Sequence, residues 1–158
     1  VRIALLSLFV LSACAETGES ACDAEEGGEV VVQDAWIREQ ADPDAASAAY
    51  FRVCNGATST AVLTGVETPG AKRAEMHQSL RDARGVVSMA PLGRVEIQPG
   101  EWSVFEPGGK HVMLLDRSAP LRAGETTMLV LQFEDGSTIS VEARVRSAAE
   151  AAGGEHRH

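Results

Sequence analysis

At 158 residues and 44% hydrophobic composition, the chain is long enough for one well-buried domain, and 23 acidic against 14 basic side chains give it a net charge of −9. No Lys/Arg stripe interrupts that acidic balance, which excludes a surface built to grip nucleic-acid phosphates. The charge says little more, because exposed charges are screened beyond about 8–10 Å at ordinary salt.

Residues 1–13, VRIALLSLFVLSA, place one Arg before an apolar run. The run is too short for a membrane-spanning helix of about 20 residues but has the length of an export signal. It ends in Leu11, Ser12, Ala13 and Cys14, which resembles a bacterial lipobox. Cys14 is therefore the expected lipidation site, and a lipid anchor the expected membrane contact of a protein exported to the periplasm or another extracytoplasmic space. Residues 14–29 are rich in Glu, Gly, Ser and Ala and read as a flexible linker. With Cys14 lipidated, Cys22 and Cys54 remain as an even pair, which permits a disulfide in an oxidising compartment. The alternative is that Cys54 serves as a metal ligand.

From Val30 the pattern becomes short apolar runs divided by turn residues. VVVQDAWI (30–37) is Val-rich, AAYFRVC (48–54) leads into Asn55 and Gly56, and TAVLTGVE (60–67) ends near Pro69 and Gly70. AKRAEMHQS (71–79) precedes the polar turn RDARG; GVVSMA (85–90), GRVEIQ (93–98) and WSVF (102–105) follow. After Pro107, Gly108 and Gly109 comes KHVMLLD (110–116), and the last two runs, TTMLVLQFE and STISVEARV, flank the hairpin signal Asp135-Gly136. In the final run Ile139, Val141, Ala143 and Val145 alternate with polar residues, as one buried and one wet face requires. About eight or nine strands at roughly ten-residue spacing, with no amphipathic helix, predict an all-β antiparallel sandwich or barrel over residues 30–146. Residues 147–158 are small and polar and are expected to be disordered; His156 and His158 there form an HxH able to catch a divalent metal ion.

The chemistry concentrates in four scarce side chains: His77, Met89, His111 and Met113. His111 and Met113 follow a glycine turn on one short strand, where alternate side chains share a face and stand about 6–7 Å apart at the backbone. Taken alone, such a pair is often core filler beside a satisfied histidine. Taken with His77 and Met89 it becomes a set of two imidazoles and two thioethers. Thioethers are soft, neutral donors that favour Cu(I) and give little to zinc, magnesium or calcium. Met76 and His77, as strand neighbours, face opposite sides, so His77 is the expected ligand and Met76 a core residue. Neutral donors leave a bound Cu(I) with its positive charge, which places the site at a rim rather than deep in the core. Binding is expected to weaken as pH falls through the imidazole range, about 6.5.

These residues resemble the PCuAC-type periplasmic copper chaperones, whose signature is a His, a Met about a dozen positions on, and an HxM after 21 more residues. The likeness extends to Asp34-Ala35-Trp36-Ile37-Arg38 and to Ala49-Tyr50-Phe51 with Asn55, and spans roughly residues 30–145. Gln78 stands where the family often has a second Met, and Val87 where it tends to have the first Met of an MxM, so auxiliary thioethers are missing and the four principal ligands are kept. The resemblance implies a cupredoxin-like fold, Cu(I) as cargo, no enzymatic activity, and delivery to a copper-accepting protein, either a cytochrome oxidase subunit or a thiol-containing assembly factor. An electron-transfer cupredoxin is the competing class. It would need a Cys thiolate beside two His, and no suitably placed Cys precedes the end of the domain. A hydrolase or oxidase is disfavoured because no paired carboxylates, nucleophile with base, or HExxH motif accompanies the ligands.

Overall fold

The computed structural model describes Cys22 and residues 28–153. Among them are ten strands: β1 (Val30–Arg38), β2 (Ser47–Asn55), β3 (Ala61–Glu67), β4 (Ala71–Arg81), β5 (Val87–Pro91), β6 (Val95–Ile97), β7 (Trp102–Phe105), β8 (Lys110–Arg117), β9 (Thr126–Phe133) and β10 (Thr138–Arg146). The count exceeds the expected eight or nine because the short β5 and β6 both find partners. The runs of β-branched and aromatic residues end where the sequence predicts, at glycines that take positive φ: Gly70, Gly100, Gly108 and Gly136.

The strands form one hydrogen-bonded sheet in the order β5-β4-β8-β7-β2-β1-β10-β9-β3-β6, with β8 also paired to β2. Pairing is antiparallel except where β1 runs beside β10 and β7 beside β8. The sheet does not lie flat. β3, next to one edge, lies against β4, next to the other, and every strand except β5 contributes to one apolar core around Ile37, Phe51, Leu63, Ile97, Leu114 and Leu131. The outcome is the cupredoxin-like all-β sandwich expected. At Asp34, which adopts φ 55°, a register shift between Gln33 and Trp36 splits β1. Such a bulge resets the alternation, and beyond it β1 pairs with β2 and β10 together, with Trp36 buried against Tyr50 at 4.3 Å between ring centres.

Two polar side chains tie the loops to this core. Asn55, fully buried, donates through Nδ2 to the carbonyls of Ser59 and Ile97 at 2.8 Å each and accepts from the Ala57 N–H at 3.1 Å. Arg117, also buried, donates to the carbonyls of Gln40, Asp42, Ala45 and Ala119, fastening the 39–46 connection that enters β2. Burial lowers its pKa from the usual arginine range, and Asp42 partly offsets that.

One expectation is corrected. The start of the 147–158 segment is not irregular: Ala148–Gly153 forms a short helix, α1. Ser147 and Glu150 build a reciprocal cap, with the Glu150 N–H donating to Ser147 Oγ at 3.3 Å and the Ser147 N–H donating to Glu150 Oε2 at 2.8 Å. That is the S-x-x-E capping box, a signal present in the sequence as Ser147-Ala148-Ala149-Glu150.

Candidate functional site

The Pro107-Gly108-Gly109 turn is closed by backbone bonds from Gly109 N–H to the Glu106 carbonyl at 3.0 Å and from Glu106 N–H to the Lys110 carbonyl at 2.8 Å. Gly108 takes φ 79° there, a conformation that suits a residue without Cβ. The turn sends β8 out antiparallel to β4 in a fixed register: Gln78 faces Lys110, His77 faces His111, and Glu75 faces Met113. On the other side of β4, Ser79 faces Met89 of β5.

Directly opposed residues share a face, and so do residues two apart on one strand. His77, His111, Met113 and Met89 therefore all stand on one face of the β5-β4-β8 portion of the sheet. Their arrangement is diagonal. The two imidazoles form the central rung; Met113 lies one rung to one side of them, and Met89 one rung to the other. The imidazole ring centres are 6.0 Å apart and the ring planes tilt by 45°. Met76, on the opposite face, is buried in the core.

Each imidazole is oriented by a neighbour. The carbonyl of Gly109 accepts from the Ser79 N–H at 3.0 Å and lies 3.1 Å from His111 Nδ1. One glycine carbonyl thus holds β4 and the ring together, and a proton on Nδ1 leaves the lone pair on Nε2. His77 Nε2 lies 3.3 Å from Glu75 Oε2, while His77 Nδ1 is buried without a hydrogen-bond partner among the described residues. An imidazole that donates to a carboxylate through one nitrogen and keeps the other as a lone pair is arranged as metal-ligating histidines commonly are. Glu75 is itself held, at 2.7 Å, by Arg73, whose Nε donates to Asp116 at 2.9 Å. That hydrogen bond and the surrounding carboxylates keep Arg73 above its usual pKa range.

The four side chains differ in exposure. His111 is buried (6%), Met113 is half-buried, and Met89, on the edge strand β5, is 58% exposed. Met89, His111 and Met113 line one cleft of ≈ 310 Å³, together with Arg38, Ser47, Tyr50 and Ser79. Burial raises the Tyr50 hydroxyl above the usual tyrosine range, and the Arg38 charge partly offsets that.

Cys54, the alternative ligand, is not at this face. It is disulfide-bonded to Cys22, with Cα atoms 5.6 Å apart, and lies at the far end of β2 from Ala48, the residue opposite Met113. Cys14, His156 and His158 lie outside the described residues. Sequence reading missed Glu75 and the Gly109 carbonyl, and named Arg38 and Tyr50 only as part of the family likeness, with no place at the site. The Glu75-Met76-His77 spacing was the available signal for the first, since period two puts a carboxylate on the face of the imidazole.

The fold is the cupredoxin-like β fold that PCuAC domains share, and in this chain it sets two histidines and two methionines on one face of three adjacent strands. A family model described as "Putative lipoprotein LpqE-like" matches residues 30–145, and the chain belongs to that LpqE-like family. It is 30% identical over 117 residues to "Putative lipoprotein Lxx21020" of Leifsonia xyli subsp. xyli, covering 74% of this chain and 69% of that one. Among solved structures, the copper-bound PCuAC domain from PmoF2 superposes with a TM-score of 0.62 at 22% identity, covering 76% of this chain and 94% of the other. The solution structure of CuI-DR1885 from Deinococcus radiodurans does so at 0.55 and 27% identity, covering 75% and 80%.

Proposed function

We propose that this protein is an extracytoplasmic Cu(I) carrier that holds its cargo between His77, Met89, His111 and Met113 and passes it to a copper-accepting protein. The observation that carries the reading is the rung formed by His77 and His111 with a methionine on either side. A metal–imidazole bond of about 2.0–2.1 Å puts an ion about 3.2 Å from each ring centre, so centres up to about 6.4 Å apart can share one ion. The 6.0 Å separation lies within that reach. The buried, unpartnered Nδ1 of His77 fits a lone pair awaiting a ligand, because a polar atom left unpaired in the interior is costly. Two thioethers beside the imidazoles select the softer, monovalent ion. The copper-bound relatives of like fold support the same cargo.

The arrangement suits transfer as well as binding. His111 gives a rigid, buried donor, whereas Met89 sits on the exposed edge and can let go first. No reactive group is needed for that role, and the reading is of a carrier rather than an enzyme. The lipoprotein names of the family and relative, and a disulfide of the kind found in oxidising compartments, support export with an N-terminal anchor through Cys14. A respiratory oxidase copper site or its assembly factor is the acceptor proposed. His156 and His158 are proposed as a secondary divalent-metal site.

Competitive titration of Cu(I) against a strong chelator, with copper-edge X-ray absorption, tests the reading. The expected spectrum has two nitrogen and two sulfur neighbours, losing one nitrogen in His111→Ala and one sulfur in Met113→Ala. Unchanged affinity and neighbour counts in both variants would overturn it.

A further inference from the structure

The cleft that opens on Met89, His111 and Met113 has a second wall whose chemistry the copper donors do not explain. Arg38, at the end of β1, and Tyr50, on β2, line it. Among the described residues, no carboxylate lines this cleft, although the chain as a whole carries a charge of −9. Arg38 is exposed and makes no ion pair with any described residue. Nearby, Arg146 pairs in register with Arg38 and lies over the Trp36 ring at 5.2 Å, which adds a second positive charge behind the first. Tyr50 is 4% exposed, its ring packed on Trp36, and its hydroxyl makes no hydrogen bond to a described residue. A guanidinium and a hydroxyl with no partner among the described residues thus face a cleft whose proposed metal donors are all neutral. The nearest carboxylate on this face, Glu75, is paired to Arg73 at 2.7 Å, so with Cu(I) held there the ion and Arg38 leave the cleft with positive charge, and what it attracts is an anion.

We propose that Arg38 and Tyr50 form an entry subsite for a soft anionic donor, a thiolate, that attacks the copper as it leaves. This rests on the Cu(I) reading above. Softness selects sulfur over a carboxylate or phosphate as the incoming ligand, and Arg38 supplies the electrostatic attraction that neutral donors cannot. The exchange balances without redox change. A Cu–thiolate bond forms, the Cu–thioether bond to Met89 breaks, and copper stays monovalent. The exposed Met89 is the leaving donor because it borders the same cleft and is tethered only to an edge strand.

The test is stopped-flow removal of Cu(I) from the loaded protein by two reagents that differ in charge: 4-nitrothiophenolate, ionised at neutral pH, and neocuproine, a neutral chelator. Arg38→Gln should slow removal by the thiolate about three- to tenfold, the loss of one nearby unit charge in a wet cleft, and leave removal by neocuproine within about twofold. Arg38→Lys should restore most of the thiolate rate, and added salt should slow wild type more than Arg38→Gln. Tyr50→Phe should slow the thiolate selectively and by less. Equal slowing of both reagents, or an unchanged thiolate rate in Arg38→Gln, would overturn the subsite. Equilibrium titration precedes the kinetics: a wild type that takes up no Cu(I) defeats the carrier reading and this subsite with it. A wild type that binds Cu(I) and shows no charge selectivity defeats the subsite alone.

Discussion

Replacing both Cys22 and Cys54 by Ala separates what holds the domain together from what binds metal. The bond joins positions 32 apart in sequence. With that loop, the chain-entropy relation gives about 12 cal/mol/K, or about 3.7 kcal/mol at 25 °C, of denatured-state entropy that the cross-link removes. For a domain of this size the loss corresponds to a fall in Tm of roughly 10–15 °C. Both sulfurs are buried, so lost packing should add to the effect. Copper affinity should not change. Cys54 lies six residues along β2 from Ala48, the partner of Met113, or about 20 Å at strand spacing. The assay is urea unfolding of the oxidised wild type and the double variant, paired with the Cu(I) titration. A stability difference below about 1 kcal/mol would refute the loop argument. A loss of copper affinity in the folded variant would refute the separation of cross-link and site.

Further outcomes follow from the same geometry. Met89→Ala should weaken Cu(I) binding less than Met113→Ala, because Met113 is half-buried beside the imidazole rung while Met89 is mostly solvated; the chelator titration ranks them, and the reverse order would count against the diagonal donor set. Asn55→Ala should cost about 2–4 kcal/mol in urea unfolding, since it strands two carbonyls and one N–H that the amide now satisfies. Asp82 caps the β4–β5 turn by accepting from the Val86 and Arg84 N–H groups at 2.9 and 2.8 Å, and these bonds, that of Val86 foremost, hold its carboxyl below the usual range. A depressed folded pKa means that the contribution is present above the unfolded value of about 3.9 and is lost as pH falls through the lower folded one. The Val86 amide shift, followed by NMR, should therefore titrate below 3.9, and a midpoint at or above that value would contradict the capping.

Much of this was legible in the chain because period two is a local property. The run Ala71–Ser79 shows at once that Met76 and His77 face opposite ways, and the Pro107-Gly108-Gly109 turn fixes where the His111–Met113 strand begins. The helix at 148–153 was legible too, through Ser147 and Glu150, but its small residues read as a solvated tail. Glu75 was missed because its role depends on Arg73 and on the ring of His77 two residues away, and a lone carboxylate on a strand carries no such mark.

The chain alone carried the types and spacing of the four proposed donors, the all-β class and the face each takes on its own strand. The folded sheet was needed to show that β4 lies between β5 and β8 and that His77 falls directly opposite His111. Register between strands is set by long-range pairing and core packing, which no local pattern encodes. The same packing brought Arg38 and Tyr50, from two other strands, to the cleft beside Met113, and it carried Cys54 to the far end of β2 and into a bond with Cys22. Side chains that are remote in sequence meet only because the sheet curls over a single core and fixes which strands are neighbours.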